Sequence, residues 1–166
     1  MLDRVDSDLV SDVLSMGDRL LPNLGGSSRH TVVAGIRSRS GRSYFGVNCD
    51  GIHGTCAEIV AYANAVLAAD ADVETVVAAL ISASDGERIL APCGNCRQIL
   101  SECAPNISVV VREAGRLLKV PIVELLPRPY KHSECAASGY GEESKVSCGA
   151  TTGRVCQELP GKPPIK

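Results

Sequence analysis

Two short segments of this chain hold residue types that can do chemistry together: Cys56-Ala57-Glu58 and, further on, Pro92-Cys93-Gly94-Asn95-Cys96. Each reads as the start of a helix. Two thiols at C-x-x-C spacing on a helix start can face one ion, and the peptide N–H groups and helix dipole there favour the thiolate form. A third thiolate from a second helix start closes three sides of a tetrahedron and leaves the fourth for water, which distinguishes a catalytic zinc from a structural one. Cys56, Cys93 and Cys96 are therefore the candidate Zn²⁺ ligands, with Glu58 as the adjacent acid/base.

Each piece has a plainer explanation when taken singly. Pro92-Cys93-Gly94-Asn95-Cys96 could be a redox pair or half of a structural site, and Cys56 a small buried hydrophobe. Thr55-Cys56-Ala57-Glu58 also spells a capping box, in which Glu58 would only bond back to the backbone of Thr55. What favours the metal is the co-occurrence of both motifs at successive helix starts with a buried strand between them.

The elements that must position these residues follow from hydrophobic spacing. Leu9 to Leu21 repeats at helical intervals, and Pro22 to Gly26 stops the pattern. Thr31–Ile36 and Ser43–Val47, parted by Ser40-Gly41, read as a hairpin. Thr55–Ala69 reads as a helix apolar on nearly every side, hence one buried within the domain rather than lying on its surface. Val73–Ile81 gives a buried strand, Cys93–Cys103 a helix, Ile107–Val111 a strand and Leu117–Val120 a weaker one, with Gly115 at a turn. Strands separated by helices, after an opening hairpin, predict an α/β domain with a mixed sheet. Residues 1–130 form that domain. Residues 131–166, rich in Gly, Ser and Pro, are expected to be a disordered or loosely packed tail. Its Cys135, Cys148 and Cys156 do not match common zinc-knuckle spacing.

Composition bounds the partners. A formal net charge of −2 argues against affinity built on phosphate neutralisation, and 3% aromatic residues with no Trp leave little for stacking on single-stranded nucleic acid. No apolar run is long enough to cross a membrane, and the N-terminus lacks the pattern of a secretory signal, so the expected location is cytoplasmic. The eight cysteines of a signal-less chain with an ordinary core are better read as metal-binding than as a disulfide framework. A small molecule is the expected partner.

With these residues in place, the sequence resembles the cytidine deaminase family, especially its small members with three cysteine ligands, and most closely its blasticidin-S deaminase branch. The segments that carry the resemblance are Ser40-Gly41-Arg42…Gly46-Val47-Asn48, Thr55-Cys56-Ala57-Glu58, Pro92 to Leu100 and Glu124-Leu125-Leu126-Pro127…Tyr130. The resemblance implies a three-layer α/β/α sandwich with about five strands, usually assembled as a homotetramer. It also implies hydrolytic deamination of a cytosine-type nucleoside, either cytidine, deoxycytidine or an antibiotic such as blasticidin S. Glu58 would take a proton from the zinc-activated water attacking C4, then return protons to N3 and to the departing ammonia.

The same resemblance assigns the substrate side to Asn48, Asp50, Ala57 and Tyr130, the last as the aromatic that covers the pocket. Asp50 would replace a longer ribose-binding Glu, or would be only a turn residue, since the connection to Thr55 is shorter than in cytidine deaminases. The blasticidin-type branch lacks that Glu and also the Arg that often follows the catalytic Glu; here Ile59 stands in that place. Arg97, next to Cys96, is either a surface side chain or the charge that compensates three thiolates. His30 and His53 could contribute polar contacts near the pocket, but a lone His in a strand or loop is more often structural. The competing functional classes are a non-catalytic zinc-binding assembly module, in which Glu58 only caps its helix, and a nucleic-acid editor, which the charge and scarce aromatics disfavour.

Overall fold

The computed structural model describes residues 2–24, 26, 29–82 and 87–131. The predicted tail beyond Lys131, with its three cysteines, lies outside the described residues.

Helix α1 (Arg4–Leu24) starts earlier than its apolar repeat because Asp3 caps it, the Asp3 carboxylate accepting the Asp6 N–H at 2.7 Å. It also runs through Pro22, where the sequence pattern stops. That proline lies so near the C-terminal end that its missing N–H disturbs only the last turn. Strands β1 (Val32–Ser38) and β2 (Ser43–Val47) form the expected antiparallel hairpin. Then come α2 (Ala57–Leu67), β3 (Val73–Leu80), β4 (Ile89–Leu90), α3 (Gly94–Cys103), β5 (Ser108–Glu113), β6 (Arg116–Pro121) and α4 (Ile122–Leu125). The sheet order is β2-β1-β3-β5-β6, with β4 paired to β3 beside this path. It is mixed, since β3 and β5 run parallel, joined across α3, while the other pairs are antiparallel. The sheet has six strands rather than about five, because the two residues of β4 are too few to show alternation.

Alternating strand residues fill two cores, one on each face. Ala34, Ile36, Val76, Ala78, Val109 and Val111 pack with Ala57, Ala61 and Ala65 of α2, Leu100 of α3 and Ile122 of α4. Their neighbours Val33, Val77, Ala79 and Val110 pack with Leu9, Val10 and Val13 of α1. The result is the three-layer α/β/α sandwich. Beneath the start of α1, the buried Asp6 carboxylate receives Arg37 of β1 at 2.9 Å, Thr75 of β3 at 3.0 Å and Lys119 of β6 at 3.0 Å, tying one helix to three strands. Burial raises its pKa, but these partners outweigh burial and hold it below the ordinary value.

One expectation is corrected. Helix α2 is not enclosed by its own domain. It buries one stripe, Ala57, Ala61 and Ala65, together with Glu58, and only partly covers Ile59, Val60 and Tyr62, leaving Val66 and Leu67 exposed. The stripe is narrow because the helix lies almost on the backbone of β2: a Cβ at Gly46 would collide with the backbone of Ala57 and Ala61. This close approach seats α2 on the sheet with its N-terminus beside that of α3.

Candidate metal centre and active site

The starts of α2 and α3 bring three sulfurs together. Cys56 is the N-cap of α2 and Cys93 the N-cap of α3, and the Cys93 sulfur accepts the Cys96 N–H at 3.5 Å. Cys96 is fully buried in the first turn of α3. The Cys56 and Cys93 Sγ atoms are 3.4 Å apart, and all three Sγ atoms lie within 4.8 Å of one another. Zn–S bonds of about 2.3 Å at tetrahedral angles place sulfurs roughly 3.8 Å apart, so this triad fits a zinc ion. Among the described residues no other group of three or more His, Cys, Asp or Glu gathers in this way.

The thiol energetics also call for a cation. Burial and the neighbouring Cys93 push the Cys56 thiol up to about 11, and burial with the nearby Glu58 and Cys56 charges pushes Cys96 up further. Burial acts on Cys93 in the same direction, but hydrogen bonds from the Cys96 and Asn95 N–H groups and the adjacent thiols hold it below its ordinary value. Three thiolates this close repel one another until a shared positive charge stands between them.

Glu58, in the first turn of α2, is 6% exposed and lines the same cleft as Cys56. The capping-box alternative is overturned. The helix begins with Cys56 rather than Thr55 as its cap, and no side chain caps it. The Thr55 N–H, which Glu58 would have had to accept, instead donates to the Cys49 carbonyl at 3.0 Å. Burial raises the Glu58 pKa, with a bond from its own backbone N–H and the Cys96 thiol partly offsetting this.

The cleft measures about 470 Å³ and is also lined by Asn48, Asp50, His53 and Ala57. The Asn48 Oδ1 accepts the Thr31 and Val32 N–H groups at 2.8 Å each, and the Asn48 carbonyl meets His30 Nδ1 at 2.7 Å. Asn48 thus orders the cleft wall with its oxygen, while its amide nitrogen has only a 3.5 Å contact to Thr31 Oγ1. Asp50 is exposed at the rim, its N–H donating to the Arg29 carbonyl.

Two candidates lie elsewhere. Tyr130 does not line the cleft and is 57% exposed. Its backbone N–H donates to the Gln98 Oε1 at 3.1 Å, and its carbonyl accepts from the Gln98 Nε2 at 2.7 Å. Arg97 donates from Nε to the Pro92 carbonyl at 2.9 Å and from Nη1 to the Leu125 carbonyl at 3.0 Å, so it ties the loop before Cys93 to the end of α4. Gln98 was given no role by its sequence context, and only the contact across the fold reveals its clamp. Asp70 was missed for the same reason: one of its oxygens, Oδ2, accepts from Ser38, Ser40, Tyr44 and Arg42, pinning the hairpin to the end of α2.

No protein-family model matches the chain. Among curated proteins it is 34% identical over 110 residues to blasticidin-S deaminase of Bacillus cereus, covering 62% of this chain and 79% of that protein. The chain belongs to the cytidine deaminase family, near its blasticidin-S deaminase branch. It is also 33% identical over 105 residues to cytidine deaminase 3 of Arabidopsis thaliana, covering 55% of this chain and 46% of that one. Two solved cytidine deaminases share the fold. That of Bacillus anthracis has a TM-score of 0.63 at 22% identity, covering 81% of this chain and 94% of its own. That of Mycobacterium tuberculosis has a TM-score of 0.52 at 23% identity, covering 63% and 82%. The protein is accordingly an enzyme of the cytidine deaminase type, in a family that depends on zinc. Among the described residues no helix is long and apolar enough to cross a membrane.

Proposed function

We propose that the protein hydrolytically deaminates a cytosine-type nucleoside, with Zn²⁺ held by Cys56, Cys93 and Cys96 and Glu58 as the acid/base. The observation that carries this reading is Glu58 itself, a buried carboxylate with no capping partner, lining the cleft together with Cys56 of the cysteine triad. When bound, the zinc supplies Lewis-acid activation of water. Glu58 takes one proton from the attacking water and passes it to ring N3, then takes the second from the new C4 hydroxyl and passes it to the amino nitrogen, so that the C4–N bond breaks, ammonia departs and a carbonyl remains at C4. The low-dielectric setting of Glu58 keeps that exchange away from bulk water. Ala57 forms the floor beside it, and Asn48 and Asp50 contact the sugar side, with the Asn48 amide nitrogen as the donor left for substrate. Arg97 acts as a positioning residue through the Pro92 carbonyl.

Cytidine, deoxycytidine and cytosine-nucleoside antibiotics such as blasticidin S are the substrate candidates, the last supported by the likeness to the Bacillus cereus protein. A reducing compartment, the cytoplasm, would keep the three thiols available to metal. The open apolar face of α2 supports a homo-oligomer, a tetramer by family likeness, with Tyr130 completing a pocket only in the assembly. Loss of the cytosine amino group, followed by ultraviolet absorbance for cytidine, deoxycytidine, cytosine and blasticidin S, tests the activity directly. Turnover of none of them by the zinc-loaded protein would overturn it.

A further inference from the structure

The C-terminal end of the domain returns to α3, the helix whose start presents Cys93 and Cys96, and two neighbouring residues of that helix receive it. Arg97 donates from Nη1 to the Leu125 carbonyl at 3.0 Å. Gln98 holds both backbone groups of Tyr130, accepting its N–H through Oε1 at 3.1 Å and donating to its carbonyl through Nε2 at 2.7 Å. Nε2 also donates to the Glu102 carboxylate one turn further along α3. Because an ionised carboxylate only accepts, Glu102 decides which edge of the Gln98 amide is the donor and so orients both bonds to Tyr130.

Between the two anchors lies Leu126-Pro127-Arg128-Pro129, a strap with little hold of its own, since neither proline has an N–H to donate. Arg128 adopts φ 62°, a left-handed conformation that costs free energy for a residue with a side chain and persists where its surroundings impose it. The near end of the strap is fixed to the core: Ile122 is fully buried and its N–H donates to the Ile107 carbonyl at 3.0 Å. At the far end Tyr130 is 57% exposed, and its backbone is what α3 grips.

We infer that Gln98 is a positioning residue: its amide, aimed by Glu102, imposes the turn at Arg128 and sets where Tyr130 stands. The inference rests on the reading above in which Tyr130 completes a pocket in the assembled enzyme, and it adds what holds Tyr130 in place. Gln98 does not itself line the cleft, so its effect on the reaction passes through Tyr130 and belongs to substrate affinity.

Gln98→Met keeps the length of this half-buried side chain while removing both bonds. The Tyr130 amide should then exchange with solvent on the order of tenfold faster, read residue by residue by NMR, with the Ile122 amide unchanged. In the zinc-loaded protein, KM for the nucleoside it turns over should rise about fivefold with kcat held, as in Tyr130→Ala, and the double variant should do no more than either single because both act through one ring. Glu102→Ala, which frees the amide to turn over, should give a smaller shift in the same direction. Unchanged exchange at Tyr130 in Gln98→Met overturns the inference, as does a KM that moves in Tyr130→Ala and not in Gln98→Met. An unchanged KM in Tyr130→Ala overturns it too and leaves the deamination reading standing. Should the original protein deaminate nothing, calorimetric binding of cytidine and blasticidin S decides: weaker binding by Gln98→Met keeps the inference and overturns only the activity, whereas equal binding overturns both. Loss of oligomer size in Gln98→Met by light scattering would make Gln98 a subunit contact and overturn the inference.

Discussion

Replacing Glu58 by Gln keeps the shape of a buried side chain while removing its ability to carry a proton. Because no hydrogen bond to Thr55 exists to be lost, the amide should cost the fold nothing, and it is cheaper to bury than a charge. Turnover should fall by at least the ~10²-fold typical of general acid–base catalysis, with zinc content and Tm held. A variant that deaminates normally would remove Glu58 from the mechanism, and one that loses zinc would make it structural. The proposed ligands should behave oppositely: Cys56→Ala, Cys93→Ala and Cys96→Ala should each lose most of about one zinc per chain by elemental analysis, since two thiolates do not close the site. That these four residues would lie at two neighbouring helix starts could be read from the sequence because each motif is short and local. Gln98 and Asp70 could not be, because their partners, Tyr130 and the Ser38–Tyr44 hairpin, come from distant parts of the chain.

At the scale of elements, the hairpin and α2 are joined through the Asp70 carboxylate. Hydrogen bonds from Ser40, Ser38 and Tyr44 hold its pKa down to about 2. An unfolded aspartate titrates near 3.9, so the folded state binds its proton less readily and the carboxylate stabilises the fold above that value. This contribution should fade as pH falls from about 4 through about 2. Asp70→Asn should lower Tm at neutral pH, and the difference from the original protein should shrink across that window in thermal melts; a difference independent of pH would show that the carboxylate's charge is irrelevant. Periodicity located both partners, the hairpin and the helix, but not what fastens them. It also shortened α1, whose first turn is set by Asp3 rather than by apolar spacing, and it missed β4, which has only two residues in which to alternate. The three layers were implied by the family resemblance and not by spacing, although successive residues of β1, β3 and β5 do feed opposite cores.

At the scale of the molecule, the apolar character of α2 was read correctly and its consequence was not, because a sequence pattern does not distinguish burial within a domain from burial between domains. The chain buries the alanine stripe and leaves Val66 47% and Leu67 87% exposed, with Ile59 and Val60 only partly covered. Fully burying one such side chain is worth about 1.5–3 kcal/mol, and symmetry repeats the gain on each copy, so association through this face is favoured. Light scattering at micromolar concentration should therefore find an oligomer, with a tetramer expected. Leu67→Asp places a charge on that face, where burial without a partner costs several kcal/mol, so the variant should dissociate while its far-ultraviolet circular dichroism stays unchanged. An original protein that is monomeric at micromolar concentration, or a Leu67→Asp variant that assembles as the original does, would mean that this face of α2 meets solvent and that each chain must complete its own cleft.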